Sequence, residues 1–153
     1  MITYVDTGNI RFPKSERCIM GILKFEDFFH PQKDEEYTII TFFDNMIRRD
    51  FLDILRRMAN GQGCMLCDSV GYNLPEEYDE DDEVKDCIEI WEVCGNNEHS
   101  YDLSYEQFIE FLEISGKIWL NNNMIRHHFR AINKFDRETI DMFLNSIKKR
   151  YLK

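Results

Sequence analysis

The sequence predicts an α+β fold, a small antiparallel sheet packed against three or more helices in a single domain over residues 1–153. Two observations carry this reading. A strand-turn-strand pattern centred on Gly95 runs directly into a capped amphipathic helix, and two further apolar stripes recur at helical spacing. With 153 residues, 43% of them apolar and 14% aromatic, the chain has the material for one real core.

Taken in chain order, residues 1–5, 9–12 and 37–40 are short strand candidates. Residues 24–29, Lys-Phe-Glu-Asp-Phe-Phe, suit helix or strand. A helix is expected over 42–60, with Phe43, Ile47, Phe51, Ile54, Leu55 and Met58 as its inward stripe. Thr41 to Asp44 gives it a weak capping signal, and Gly61 supplies the glycine expected just past its end. Residues 64–70 form another strand candidate. Over 87–94, Ile88 and Ile90 share one face and Trp91 and Val93 the other, a pattern that suggests a bulge or a strand covered on both sides. Residues 95–99 then turn, and 100–103 return. Ser104-Tyr105-Glu106-Gln107 fits a capping box opening a helix over 104–120. Its inward stripe is Phe108, Phe111, Leu112, Ser115 and Trp119, and Asn121 to Asn123 are expected to end it. A short helix is a candidate over 124–133. Asp136 is a candidate N-cap for a last helix, whose stripe is Ile140, Phe143, Leu144, Ile147 and Tyr151. Lys148, Lys149 and Arg150 fall in its final turn, where cations suit the helix dipole.

Charge is spread unevenly. Seven of the eight residues Glu76-Glu77-Tyr78-Asp79-Glu80-Asp81-Asp82-Glu83 are acidic, within a net charge of −10. Like charges at this density repel, which predicts a solvated, exposed loop over 75–84 and makes the run a candidate partner-binding segment for a cationic protein. Residues 1–123 hold 11 Lys/Arg against 26 Asp/Glu, a poor charge balance for binding nucleic acid directly. Residues 124–153 hold 8 against 3, a basic tail expected to close on acidic surface of its own chain or to form a solvated helix face. No apolar run approaches the roughly 20 residues needed to span a membrane, and the first residues lack a secretory pattern. Five cysteines, an odd number, point to a reducing compartment, hence a cytoplasmic protein.

Motifs for chemistry are sparse. Cys64-Met65-Leu66-Cys67 is a CxxC, and with Cys87 and Cys94 it invites a four-thiolate zinc site. Against this, an extended 87–94 would put the second pair about 20 Å apart with opposite parity. No metal, cofactor or disulfide is therefore expected. Tested as a calcium loop, Asp79, Asp81 and Glu83 fill the first acidic positions, but Val84 stands where glycine is needed and Ile90 where glutamate is needed. His127 and His128 are adjacent, so they do not share a helical face. His30 and His99 fall in expected turns. Nucleophile elbows, phosphate-cradling glycine loops and zinc-protease helices are absent, so no catalytic constellation is legible and no enzyme is expected.

The order Met58-Ala59-Asn60-Gly61-Gln62-Gly63, acidic segment, strand, Tyr101-Asp102-Leu103-Ser104-Tyr105-Glu106-Gln107-Phe108, and a last helix ending Ile147-Lys148-Lys149-Arg150-Tyr151 resembles the immunity proteins of contact-dependent growth inhibition systems, those set against ribonuclease toxins. The resemblance covers residues 44–153 and leaves the first 40 uncovered. It implies a bacterial, cytosolic protein that binds a cognate toxin domain tightly and blocks its active site. A ribonuclease cleft is basic because it binds RNA, and an acidic inhibitor suits it. Two other readings stay open: an acidic adaptor for an unrelated basic partner, and a zinc-binding domain built on Cys64 and Cys67.

Overall fold

The computed structural model describes residues 4–7, 10–13, 22–77, 85–126 and 134–152. Its elements in chain order are β1 (Tyr4–Thr7), β2 (Ile10–Pro13), α1 (Tyr37–Arg48), α2 (Phe51–Ala59), β3 (Cys64–Cys67), β4 (Val70–Asn73), β5 (Ile88–Cys94), β6 (Asn97–Leu103), α3 (Tyr105–Arg126) and α4 (Lys134–Tyr151). Three short 3-10 turns, Phe25–Asp27, Asp34–Glu36 and Pro75–Glu77, link them. β1 and β2 pair as a hairpin, and β3-β4-β5-β6 form a four-stranded antiparallel sheet in chain order. The fold is α+β, as the sequence predicts. None of the helices searched among the described residues is long and apolar enough to cross a membrane.

The sheet follows from its turns. Cys94 pairs with Asn97, so only Gly95 and Asn96 bridge β5 to β6. Gly95 sits at φ +62°, a conformation that costs glycine nothing and suits a two-residue hairpin loop. The return strand therefore begins at Asn97 rather than at 100, and His99 lies in β6, not in a turn. β5 pairs in continuous register with both β4 and β6, so its mixed apolar pattern reflects no bulge. The irregularity lies in β3, between Met65 and Cys67. The segment 64–70 is not one strand but a hairpin turning at Asp68 and Ser69.

The helices depart from expectation in four places. The apolar stripe over 42–60 is carried by two helices, α1 and α2, broken at Arg49 and Asp50, where Arg49 is extended. α1 packs on the sheet and α3, while α2 packs on α4, and one straight helix could not reach both. Residues 37–40, expected as strand, are the first turn of α1. The capping signal at Thr41 is therefore internal to the helix. Asn121 to Asn123 do not end α3, which continues to Arg126, and α4 starts at Lys134, before Asp136. Asn122 is buried and spends its amide on a tertiary contact: Leu23 N–H donates to its Oδ1 at 2.8 Å and its Nδ2 donates to Leu23 O at 2.9 Å. Of the helix expected over 124–133, residues 124–126 belong to α3 and 127–133 lie outside the described residues.

The α3 start behaves as read: Gln107 N–H donates to Ser104 Oγ and Ser104 N–H to Gln107 Oε1, both at 3.2 Å. Phe108, Phe111 and Leu112 are buried. Phe111 packs against Phe25, Phe29 and Phe43 with ring centroids 5.5, 5.3 and 5.4 Å away, the aromatic centre of the core. Trp119 is only half-buried and stacks on Phe51. From α4, Ile140, Leu144, Ile147 and Tyr151 are buried. The basic end of α4 turns partly inward: Lys148 pairs with Glu113 at 2.7 Å, and Arg150 donates to Ala59 O, at the C-terminal end of α2, at 3.2 Å.

Candidate functional site

The acidic run begins three residues after β4. Glu76 and Glu77 are described, whereas Tyr78, Asp79, Glu80, Asp81, Asp82 and Glu83 lie outside the described residues. What the structure builds is the base of the run on both sides. On the incoming side, Pro75–Glu77 forms one 3-10 turn. Glu77 Oε1 accepts from Leu74 N–H at 3.2 Å and folds back against Gly63, where any side chain would collide with its carboxylate. Glu76 Oε2 accepts from the hydroxyl of Tyr151 at 3.0 Å.

On the outgoing side, Lys85 Nζ reaches Glu89 at 2.9 Å and Asp102 at 3.3 Å. Glu89 and Asp102 face each other across β5 and β6, so Lys85 offsets a like-charge pair that register forces together. Hydrogen bonding to Glu89 raises the pKa of Lys85. Burial pushes Glu89 up, but hydrogen bonds from Lys85 and Asn73 outweigh it and hold the carboxyl below its ordinary range. Next to Lys85, Asp86 Oδ1 accepts from the hydroxyl of Tyr105 at 2.8 Å.

The two sides meet in one aromatic pair. Tyr105, in the first turn of α3, and Tyr151, at the end of α4, stack with centroids 5.0 Å apart and planes 24° apart. One hydroxyl holds Glu76, before the run, and the other holds Asp86, after it. Burial, with the adjacent carboxylates, raises both phenol pKa values, so both remain donors at physiological pH. The sequence gives no local sign of this clamp. Tyr151 reads there as one more apolar-stripe residue and Tyr105 as part of a capping segment.

Elsewhere the candidate chemistry is scattered. Cys64 Sγ lies 3.6 Å from the hydroxyl of Tyr72, and Cys67 Sγ lies 3.5 Å from Ser69 Oγ. Hydrogen bonds from Ser69 lower the Cys67 thiol pKa, while burial raises that of Cys87. Cys64, Cys67, Cys87 and Cys94 are free thiols. Among the described residues no group of three or more His, Cys, Asp or Glu is arranged to hold a metal ion. His30 and His99 are exposed, and His127 and His128 lie outside the described residues. No protein-family model matches the chain, and neither curated proteins nor solved structures give a match.

Proposed function

We propose that this chain is a non-enzymatic immunity protein that binds and neutralises a basic ribonuclease toxin domain in the cytoplasm of the cell that makes it. The observation that carries the reading is the acidic run of residues 76–83, anchored before and after by the Tyr105–Tyr151 clamp and by Lys85. An anionic segment with tethered ends loses less conformational entropy on docking than a free tail. Seven clustered carboxylates steer a cationic partner into encounter. The sequence resemblance over residues 44–153 supplies the partner class. The carboxylates of Asp79, Asp81 and Asp82 stand in for RNA phosphates in the basic cleft, and Tyr78 serves as an aromatic anchor.

The test replaces Asp79, Asp81, Asp82 and Glu83 by their amides and measures binding to the basic domain encoded by the neighbouring gene at two salt concentrations. Steering predicts a slower association whose deficit shrinks at physiological salt, where the Debye length is about 8 Å. Carboxylates paired with cleft cations predict faster dissociation as well, about 2–5 kcal/mol for each truncation. Unchanged affinity and salt dependence would reduce the run to a solvated loop. A chain that protects no cell from the neighbouring toxin would sink the immunity reading.

A further inference from the structure

β3 carries both members of the CxxC on one side. Cys64 pairs with Tyr72 and Cys67 with Val70, and the register slips between Met65 and Cys67. Tyr72 and Val70 are both buried on the helix side of the sheet, so the slip at Leu66 turns both thiols to that same face. In an unbroken strand residues 64 and 67 would point to opposite faces, about 10 Å apart. Set opposite Tyr72 and Val70, two residues apart on β4, they stand about 7 Å apart instead. That is just beyond the roughly 4.4–6.8 Å Cα separation of a disulfide. β3 is an edge strand paired only with β4, so closing the gap disturbs no second ladder. Both thiols are free and half-buried.

We propose that Cys64 and Cys67 form a reversible thiol–disulfide exchange site for a low-molecular-weight disulfide, with Cys67 as the attacking thiol and Cys64 as the resolving one. This is independent of the inhibitor reading. The two sulfurs have different surroundings. Cys67 Sγ lies 3.5 Å from Ser69 Oγ, and hydrogen bonds from Ser69, with the charge of Arg49 adding to them, enlarge its thiolate fraction. Cys64 Sγ instead donates to the Tyr72 hydroxyl oxygen at 3.6 Å, and that hydroxyl donates to Gln62 O at 2.7 Å. A cleft of about 450 Å³, lined in part by Arg49, Arg57, Cys64 and Leu66, opens on this edge. Asp50 and Asp53 line it too and balance its arginines, so reactivity rather than charge selects the disulfide. In the first step the Cys67 thiolate attacks one sulfur of the small disulfide, which leaves as a thiolate and takes up a proton from solvent. Cys64 then loses its proton, attacks Cys67 Sγ and expels the second small thiol. Two protein thiols are oxidised to one disulfide, and the small disulfide is reduced to two thiols. In a reducing compartment the dithiol is the resting form, and such disulfides are transient.

The test mixes the reduced full chain with excess glutathione disulfide at pH 7, quenches with acid at intervals, and reads each cysteine by alkylation and peptide mass spectrometry. Wild type should end with a disulfide joining residues 64 and 67. Cys67 should be captured at least about tenfold faster than Cys87, whose thiol pKa is raised by burial. Cys64→Ser should stop at the glutathione adduct on Cys67, and Ser69→Ala should slow the capture of Cys67 severalfold. Melting temperatures confirm that each variant is folded. The wild-type measurement decides even if a variant is not. Thiols 64 and 67 still free at the end, a Cys67 no faster than Cys87, or a wild type that stops at the mixed disulfide would each overturn the proposal.

Discussion

Replacing Asn122 tests how the segment ahead of α1 is fastened to the core. The two bonds between its amide and the Leu23 backbone span 99 residues and imitate a strand partner. Asp44 on α1 reinforces them by accepting from Phe25 N–H at 2.9 Å. Each bond is worth about 0.5–1.5 kcal/mol net, so Asn122→Ala should cost about 1–3 kcal/mol. A cleft of about 180 Å³ lined by Leu23, Asp44, Arg48 and Asn122 admits water to the stranded backbone groups, which places the value in the lower half of that range. Asn122→Asp is a sharper probe. It keeps the acceptor for Leu23 N–H but turns a carboxylate oxygen toward Leu23 O, beside Asp44. At pH 7 it should cost more than the alanine.

The introduced carboxyl would have a folded pKa above its unfolded value of about 3.9, because the native site disfavours the charged form. The native state then holds a proton that the unfolded state has shed. Its penalty is absent below about pH 4 and grows as pH rises toward the folded pKa. Urea titrations at pH 7 and pH 4 measure this directly, with the slope of the transition as a check on two-state behaviour. An alanine variant within about 0.5 kcal/mol of wild type would show that the clamp adds nothing. An aspartate variant no worse at pH 7 than at pH 4 would refute the assignment of donor and acceptor.

Phe111→Ala removes a ring 2% exposed that touches three other phenylalanines, and should cost about 3–5 kcal/mol in the same titration. A change under about 1 kcal/mol would mean that these edge-to-face contacts contribute little. Lys85→Met leaves Glu89 and Asp102 opposed without their shared cation. Because the folded pKa of Glu89 is depressed, its stabilising contribution is present above the unfolded value and lost as pH falls through the folded one. The variant should therefore lose stability at pH 7 and approach wild type near pH 3. With Lys85 42% exposed, solvent screening keeps the loss to about 1 kcal/mol or less. A pH-independent difference would mean that Lys85 acts through packing rather than charge.

What was legible in the sequence was local. The Ser104–Gln107 box and the α4 positions Ile140, Leu144, Ile147 and Tyr151 rest on residues within a few positions of one another and form as read, and a turn forms at Gly95, though over two residues in place of the five expected. The misreadings share a different cause. The stripe Phe43, Ile47, Phe51, Ile54, Leu55 and Met58 keeps helical phase across Arg49 and Asp50, so its periodicity carries no trace of the break between α1 and α2. Thr38, Ile39 and Ile40 are β-branched and suit a strand, but Thr38, Ile39, Phe42, Phe43 and Met46 are buried at helical spacing, and tertiary packing overrides propensity. Three asparagines read as a stop because the partner of Asn122 lies 99 positions away.

The candidate site divides along the same line. Its charge is a local property and was visible at once. Its base is made of distant pairs, Tyr151 with Glu76 and Lys85 with Asp102, which no window of sequence contains. The position of Trp91 shows the same limit. Its strand pattern of Ile88 and Ile90 against Trp91 and Val93 was compatible with cover on both sides, and only the placement of the helices settles which pair is buried. That placement also sorts the charge. Lys148 and Arg150 are tied to Glu113 and to Ala59 O, while every ionised side chain on strands β3 to β6 is a carboxylate. Glu89, Glu98 and Asp102 share the face of Trp91, whereas Glu92 lies on the helix-covered face, where its Oε1 accepts from the Thr38 hydroxyl of α1, so the register of β5 decides which carboxylates can meet a partner and which are spent inside the fold.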